Sequence, residues 1–187
     1  MDERLAFRDA TLDDAAVIAE IYNESILAGG ATMDAQPKTL EDIRKYISGF
    51  SKREGYVLLE RDGYVVGWGV IKRFGNGRAY RHCCETSVYL RHGEIRKGYG
   101  SRLKRALIDR CRRYGYRHLV ARIWASNTAS IEYNKTFGYE MVGIQKEIGH
   151  MNGAWQDIAL MQLVLEDVPP RLPEAYQESE AEGNADI

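Results

Sequence analysis

Nowhere in the 187 residues is there an unbroken apolar run of the roughly 18 residues that a membrane-crossing helix requires. The opening stretch, Met1 to Arg8, also lacks the apolar centre of a secretory signal. A soluble cytoplasmic chain without a membrane partner is therefore expected. Cysteine is scarce: Cys83, Cys84 and Cys111 are odd in number and two are adjacent, which suits neither a disulfide framework nor a zinc site of paired CxxC type. Reduced thiols are expected. The four histidines are scattered; His82 adjoins Cys83 and Cys84, but neighbours along a strand face opposite ways, so no metal is expected. Neither sign of charge is in excess, with 26 Lys and Arg against 27 Asp and Glu, which removes the general electrostatic reason to expect a nucleic-acid partner. No internal repeat is present.

What the sequence does contain is a run of short, well-punctuated elements. Leu5 to Asp9 alternates, and Thr11 with Asp13 and Asp14 suits a helix start, after which Ala15, Ile18, Ile21, Tyr22 and Ile26 recur at helical spacing up to Gly29-Gly30. Ala31 to Lys38 reads as an extended loop that can border a substrate, and Thr39 with Glu41 and Asp42 opens a second short helix. The pair Asp62-Gly63 predicts a hairpin between Tyr56 to Glu60 and Tyr64 to Lys72, in which Gly67 and Gly69 mark a bend or a close backbone approach. Tyr80 to Leu90 reads as a long central strand. From Gly100 to Tyr114, Leu103, Ala106, Leu107, Cys111 and Tyr114 form an apolar stripe, with the basic residues, Lys104 among them, on the other face. His118 to Trp124 is a strand, Thr128 to Phe137 a helix, and Tyr139 to Ile148 and Trp155 to Leu165 are the last two strands. Beyond Val168, prolines and polar residues dominate; one domain over 1–167 and an acidic, flexible tail over 168–187 are expected.

Between the long strand and the amphipathic helix lies Arg96-Lys97-Gly98-Tyr99-Gly100-Ser101. Small residues opening a helix expose backbone amides that no carbonyl of the helix can reach, and the helix dipole adds positive charge where they converge. A phosphate fits such a place. Glycines at a helix start are also common as simple turn formers. A P-loop is absent, and the dinucleotide fingerprint requires a third glycine where Leu103 stands.

The order of strand, glycine turn, helix, strand, helix, strand and strand resembles the GNAT acetyltransferase superfamily. Arg96 to Ser101 is similar to the second half of its Gln/Arg-x-x-Gly-x-Gly/Ala signature, and Asn127-Thr128-Ala129-Ser130 with Phe137-Gly138-Tyr139 resembles its second coenzyme motif. The blocks Gly30 to Asp34, Arg78 to Arg81, Glu85 to Leu90 and Trp155 to Asp157 resemble phosphinothricin N-acetyltransferases more narrowly, and the resemblance spans Phe7 to Val164. It implies an α+β fold in which a central mixed, mostly antiparallel sheet is flanked by helices on both faces. It also implies acetyl-CoA as cosubstrate and direct transfer to the amine of a small amino-acid-like acceptor such as phosphinothricin, methionine sulfone or methionine sulfoximine. Relatives often dimerise, so a homodimer is implied as well.

Residue by residue, the resemblance implies that Glu85 is the base that takes the amine proton, directly or through water; an acid paired with Arg81 or another cation is the structural alternative. Main-chain groups of Val88, Tyr89 and Leu90 face the thioester and pantetheine; Arg96, Lys97, Gly98, Tyr99, Gly100 and Ser101 hold the pyrophosphate, joined by Asn127 and Ser130. Arg78 and Arg81 grip an acceptor carboxylate or phosphinate, with Met33, Tyr80 and Trp155 as walls. Two positions depart from the pattern. Ile95 stands where a Gln or Arg begins the phosphate signature, so binding leans on backbone amides. Asn134 stands where relatives often carry the Tyr or His that reprotonates the departing thiolate; a water held by Asn134 is the expected substitute, and Tyr133 should point elsewhere, being about 100° round the helix. Acetylation of a protein amino terminus or lysine, and a noncatalytic acyl-CoA sensor, are the competing readings.

Overall fold

A computed structural model describes residues 3–177. A seven-stranded sheet of spatial order β1-β2-β3-β4-β5-β7-β6 forms the middle layer. Its strands are β1 (Leu5–Asp9), β2 (Gly55–Arg61), β3 (Tyr64–Arg73), β4 (Cys83–Leu90), β5 (His118–Trp124), β6 (Glu140–Met151) and β7 (Ala154–Val164). Every neighbouring pair is antiparallel except β4 and β5, which run parallel. The helices are α1 (Ala15–Ala28), α2 (Leu40–Gly49), α3 (Tyr99–Arg113) and α4 (Thr128–Lys135). The α+β architecture expected from the sequence is the one found.

Local chemistry accounts for the element boundaries. Asp62 and Gly63 both take positive φ, the type I′ geometry that matches strand twist in a two-residue hairpin. A reciprocal box caps α2: Thr39 Oγ1 accepts from Asp42 N at 3.1 Å while Asp42 Oδ2 accepts from Thr39 N at 2.9 Å. Asp14 accepts from the Thr11 amide at 2.8 Å and takes the Arg8 guanidinium on both oxygens at 2.7 and 2.8 Å, which ties the start of α1 to β1. That cation holds the Asp14 carboxyl down at about 2.

Two cores, one on each face, make three layers of the chain. Ile18, Ile21 and Ile43 from α1 and α2 pack on Leu58, Val65, Trp68 and Val70. On the opposite face Leu103, Leu107, Ile108 and Cys111 from α3, with Ile131 from α4, pack on Val57, Leu59, Val66 and Ile71.

Three sequence expectations shift. The segment Arg78–Tyr80 is a single 3₁₀ turn, not the start of the central strand, which begins at Cys83. There Tyr80 folds its ring over Gly75 and Gly77 and stacks edge-on against Phe74 at 5.7 Å, which closes a local loop that strand pairing cannot include. Lys104 is not on the solvated face of α3 but 3% exposed in the core. Asp167 does not end the packed chain: Val168 and Leu172 are buried, Arg117 Nη1 donates to the Val168 carbonyl at 2.8 Å, and the Tyr176 ring meets Tyr114 at 5.4 Å. The apolar side chains Val168, Leu172 and Tyr176, spaced among the prolines, are enough to hold this stretch down. The remainder of the expected tail, 178–187, lies outside the described residues.

Gly67 is a place of close backbone approach, as its position in the strand suggests. A Cβ there would sit 2.6 Å from the Tyr89 carbonyl oxygen and against the Leu90 side chain. Gly67→Ala is therefore expected to push β3 and β4 apart and lower stability by about 1 to 3 kcal/mol, the usual range for overpacking. An unchanged urea midpoint would contradict this close approach.

Candidate active site

Past Glu94 the chain makes a tight turn into α3. Arg96 and Gly98 both hold positive φ, at 67° and 84°. Glycine carries that geometry without a side-chain clash, and Gly98 is the residue on which the helix begins. The first backbone bond across this start is Arg102 N to Gly98 O at 3.3 Å, so the amides of Tyr99, Gly100 and Ser101 have no acceptor within the helix, and no side chain caps the end. Open amides at the positive end of a 15-residue helix form an anion site. Ile95 is 49% exposed beside it.

The charges expected here are differently arranged. Lys97 Nζ reaches Glu94 at 3.0 Å, and Glu94 in turn takes both terminal nitrogens of Arg61 at 2.9 and 3.0 Å. Lys97 is thus already partly neutralised. Tyr99 was expected at the coenzyme, but its ring is 4% exposed in the core, with its hydroxyl 3.1 Å from Arg61. As the residue one turn before Leu103, it falls on the buried stripe, and only its amide faces the anion site.

Beyond this turn lies the split in the sheet. Parallel pairing joins Cys83, Cys84 and Glu85 to His118, Leu119 and Val120, and there it stops. From Thr86 to Leu90, β4 continues beside β3 alone, with Val88 opposite Gly69 and Leu90 opposite Gly67, while β5 continues beside β7 to Trp124. A cleft opens in the wedge between them. Its walls include Thr86 to Tyr89, Ala121 to Ile123, Asn127, Ser130, Tyr133, Asn134 and Lys104. The two strands part here, and of the three β4 residues expected to face the thioester, Val88 and Tyr89 line the gap. Leu90 instead runs beneath Gly100, 3.5 Å from where a Cβ would lie, and joins the floor under the anion site.

Short helix α4 closes the wedge. Asn127 caps it, accepting from Ser130 N at 3.0 Å, and its Nδ2 donates to the Gly30 carbonyl at 2.9 Å. Asn134 is 5% exposed; Nδ2 donates to Ser130 O at 2.8 Å, whereas Oδ1 is buried without a hydrogen-bond partner among the described residues. Such an orphan acceptor on a cleft wall calls for a donor from whatever fills the cleft. Tyr133, expected to point away, lines the wedge too: its hydroxyl lies over Gly100, because α4 packs close enough for the long ring to lean back onto the start of α3. Burial pushes that phenol up to about 12, which makes it a poor acid.

On the other side of the split, the loop predicted to border a substrate does so under tight restraint. Tyr22 Oη bonds Thr32 Oγ1 and Asp34 Oδ2, each at 2.6 Å; Lys38 reaches Asp34 at 2.7 Å; Trp124 Nε1 donates to the Thr32 carbonyl at 2.8 Å. A second hollow lies between this loop and the β6–β7 hairpin, lined by Met33, Arg122, Trp124, His150, Met151 and Ile158 among others. Arg122 lines both hollows and makes a two-pronged ion pair with Glu85, at 2.8 and 3.1 Å. Of the acceptor residues predicted from sequence, Met33 lines this hollow. Trp155, 64% exposed, stands at its rim through a 5.0 Å ring contact with His150. Arg78 and Tyr80 belong to the 3₁₀ turn before β4 and Arg81 follows it as its C-cap, and none of the three lines either hollow.

Arg122 and Lys104 were missed as site residues. The pattern of β5 gives a signal for the first: Arg122 interrupts the apolar run from Leu119 to Trp124, and a central strand tolerates such a charge only where it has a use or a partner. Lys104 follows Leu103 on the helix and could have been found by noting that it stands about 100° from the centre of the apolar stripe, at its edge.

An anion-binding helix start, a split between parallel strands and an amide-accepting cleft wall together define an acyl-coenzyme A transfer fold, and the chain belongs to the GNAT acetyltransferases: the model of the acetyltransferase (GNAT) domain matches residues 7–160. Over 164 residues the chain is 32% identical to the L-methionine sulfoximine/L-methionine sulfone acetyltransferase of Pseudomonas aeruginosa, covering 86% of this chain and 95% of that protein. A GNAT superfamily phosphinothricin acetyltransferase from Sinorhizobium meliloti, solved in complex with AcCoA, superposes with a TM-score of 0.78 at 32% identity, covering 89% of this chain and 96% of that one. A ribosomal-protein-alanine N-acetyltransferase from Brucella melitensis superposes with a TM-score of 0.81 at 30% identity, covering 86% and 99%.

The residues present fit acetyl-CoA: the open amides at α3 would hold the pyrophosphate, the wedge would take pantetheine, and Asn134 Oδ1 would accept from one of its amides. With open amides and no side-chain cap at the turn, Gly98→Val should weaken acetyl-CoA binding more than Arg96→Ala, the valine being strained at a φ of 84°. Calorimetric titration of both variants checks this; the reverse order would mean that side-chain charge dominates.

Proposed function

We infer that the protein transfers acetyl from acetyl-CoA to the primary amine of a small amino-acid-like acceptor, of the phosphinothricin, methionine sulfone or methionine sulfoximine kind. The observation that carries this reading is the Glu85–Arg122 pair, whose arginine lines both the wedge and the hollow beside it. An α-amino acid carries an ammonium and a carboxylate a few bonds apart, so it can insert into such a pair with each charge met by its opposite. Met33, Trp124 and Ile158 then offer an apolar surface to the side chain.

In the mechanism that follows, the acetyl thioester supplies the acyl group. Glu85 takes a proton from the substrate ammonium, directly or through water, since only the neutral amine attacks. Val88 and Tyr89 main-chain groups, released from any partner on the β5 side, stabilise the charge that develops on the thioester oxygen. Arg78 and Arg81 are secondary candidates for the acceptor's anionic group. Support for the acceptor class comes from relatives named for methionine sulfone, methionine sulfoximine and phosphinothricin. A second copy of the chain is the partner best suited to edge strand β6, whose Met141, Val142, Ile144 and Ile148 are exposed.

Protein amino-terminal acetylation is the alternative that the Brucella neighbour represents. Free-thiol release should be measured with acetyl-CoA and methionine sulfone, phosphinothricin, their carboxyl esters, and alanine-initiated peptides. Turnover with the free acids that is lost with the esters supports the charge-pair reading; turnover confined to peptides overturns it, and release with no amine at all overturns transfer altogether. Glu85→Gln should lower kcat by about two orders of magnitude, the lower part of the range for a general base, with acetyl-CoA affinity little changed. An unchanged pH-rate profile would remove Glu85 from the role of base.

A further inference from the structure

Asparagine cannot supply the proton that the departing coenzyme sulfur needs, and Asn134 occupies the position where an acid was expected. The other polar residues of the wedge include one buried cation. Lys104 projects from α3 onto the cleft wall, 3% exposed, with its ammonium 4.3 Å from the centre of the Tyr139 ring. The Tyr139 hydroxyl is held 3.0 Å from Thr86 Oγ1, and Thr86 is the first residue of β4 beyond the point where β5 departs. Lys104 therefore lies on the floor of the wedge where the strands separate.

Its surroundings are unusual for a buried cation. The titratable groups that face it are thiols and phenols: Cys84 from β4, Cys111 from its own helix, Tyr139 from the segment after α4, and beyond that ring Tyr133 from α4. None of the ion pairs among the described residues includes it, and the groups that act on its charge are the thiols of Cys111 and Cys84 and the face of the Tyr139 ring. A cation held dry without a carboxylate beside it is costly, and the face of the Tyr139 ring offsets only part of that cost, so a negative charge arising in the wedge is strongly favoured next to it. The wedge that this ammonium lines is the one that fits pantetheine, and the negative charge that acetyl transfer leaves on the coenzyme is the thiolate.

We propose that Lys104 is the acid that protonates the departing sulfur of coenzyme A. This rests on the acetyl-CoA reading given above. As the amine nitrogen bonds to the thioester carbon, the C–S bond breaks with its electron pair going to sulfur, and sulfur takes a proton from Lys104 Nζ. The protons shed by the substrate ammonium leave through Glu85 and water, and solvent returns one to Lys104. Overall, an ammonium and a thioester give an amide, a thiol and one released proton. Burial lowers the Lys104 ammonium from its ordinary 10.5 to about 8, close to the range where it can both hold a proton at neutral pH and give it up.

A titration of bound coenzyme A tests this without any acceptor. The ultraviolet absorbance of the thiolate is followed against pH in complexes with the wild type and with Lys104→Met, and with Lys104→Gln should the first fail to fold. A buried ammonium beside sulfur should make the thiolate appear at least about one pH unit lower in the wild type than in the variant, a tenfold change in its acidity. In turnover, the wild-type kcat should fall above about pH 8 as Lys104 loses its proton, and Lys104→Met should lose that alkaline limb together with about two orders of magnitude in kcat. Coincident thiolate titrations overturn the proposal, as does a wild-type kcat that keeps rising through pH 9. Failure of the wild type to bind coenzyme A at all overturns instead the acetyl-CoA reading on which the proposal rests.

Discussion

The site depends on one interruption: the parallel ladder between β4 and β5 stops after Glu85 and Val120. Each strand is held elsewhere. The far end of β4 belongs to β3 and α1, through Arg91 N to the Val66 carbonyl at 3.0 Å, Arg91 to Glu20 at 2.7 Å and His92 N to Glu24 at 2.7 Å. Strand β5 stays in register with β7 through Trp124, and Trp124 itself is anchored to the Thr32 carbonyl. Strong twist between adjacent strands then carries the two apart. Backbone groups on the facing edges lose their ladder partners, and unpaired backbone groups in a protein interior are costly unless something else satisfies them. A pantetheine chain, with its amides spaced along an apolar thread, is suited to fill such a gap.

The same interruption explains why so many unsatisfied groups collect within a small region. The amides of Tyr99 to Ser101 lack helix acceptors, Asn134 Oδ1 lacks a donor, and Lys104 lacks a counter-ion. Elsewhere in the chain comparable groups are satisfied in detail: Asp14 takes both nitrogens of Arg8 and the Thr11 amide, and Glu94 binds both Arg61 and Lys97. Among the described residues the two buried side-chain oxygens without a hydrogen-bond partner, Tyr133 Oη and Asn134 Oδ1, both belong to residues of the cleft wall, where they are available to a ligand that is anionic at one end and amide-bearing along its length.

Most of the fold was legible because its punctuation is local. The Asp62-Gly63 hairpin, the Thr39 box and the stripe Leu103, Leu107, Cys111 each depend on residues within one or two turns. What sequence could not give was the partner of a side chain distant in the chain. Local sequence offers Arg81 or another cation as a structural partner for Glu85, and the pair formed is with Arg122, 37 residues on, because the parallel neighbour brings both to the mouth of the split. The basic residues around Lys104 make it read as solvated, whereas the packing of Tyr139 and of Cys84 and Cys111 about it takes it out of water. The stretch after Asp167 looked free because prolines dominate it, but three apolar side chains suffice to fasten it over Gly115 and Tyr114.

The two departures from the family pattern have the same form. Ile95 removes a side chain from the phosphate site, and what remains is a turn whose backbone, with Arg96 and Gly98 at positive φ, already aims its amides outward. Asn134 removes an acid from the thioester site, and what remains is a cation delivered from α3 instead of α4. In both cases an interaction absent at one position is available from a neighbouring element that borders the same cleft. That is physically reasonable because the ligand senses charge and donors at points in space, not the helix that carries them. Asn134 then has a different use. Its free Oδ1 can accept from a pantetheine amide and so fix the sulfur within reach of Lys104, while a Tyr or His there would occupy that space with its own ring. On this view Asn134 and Lys104 are one arrangement: a small, orienting amide makes room for a long, buried ammonium to reach the sulfur from the floor of the wedge.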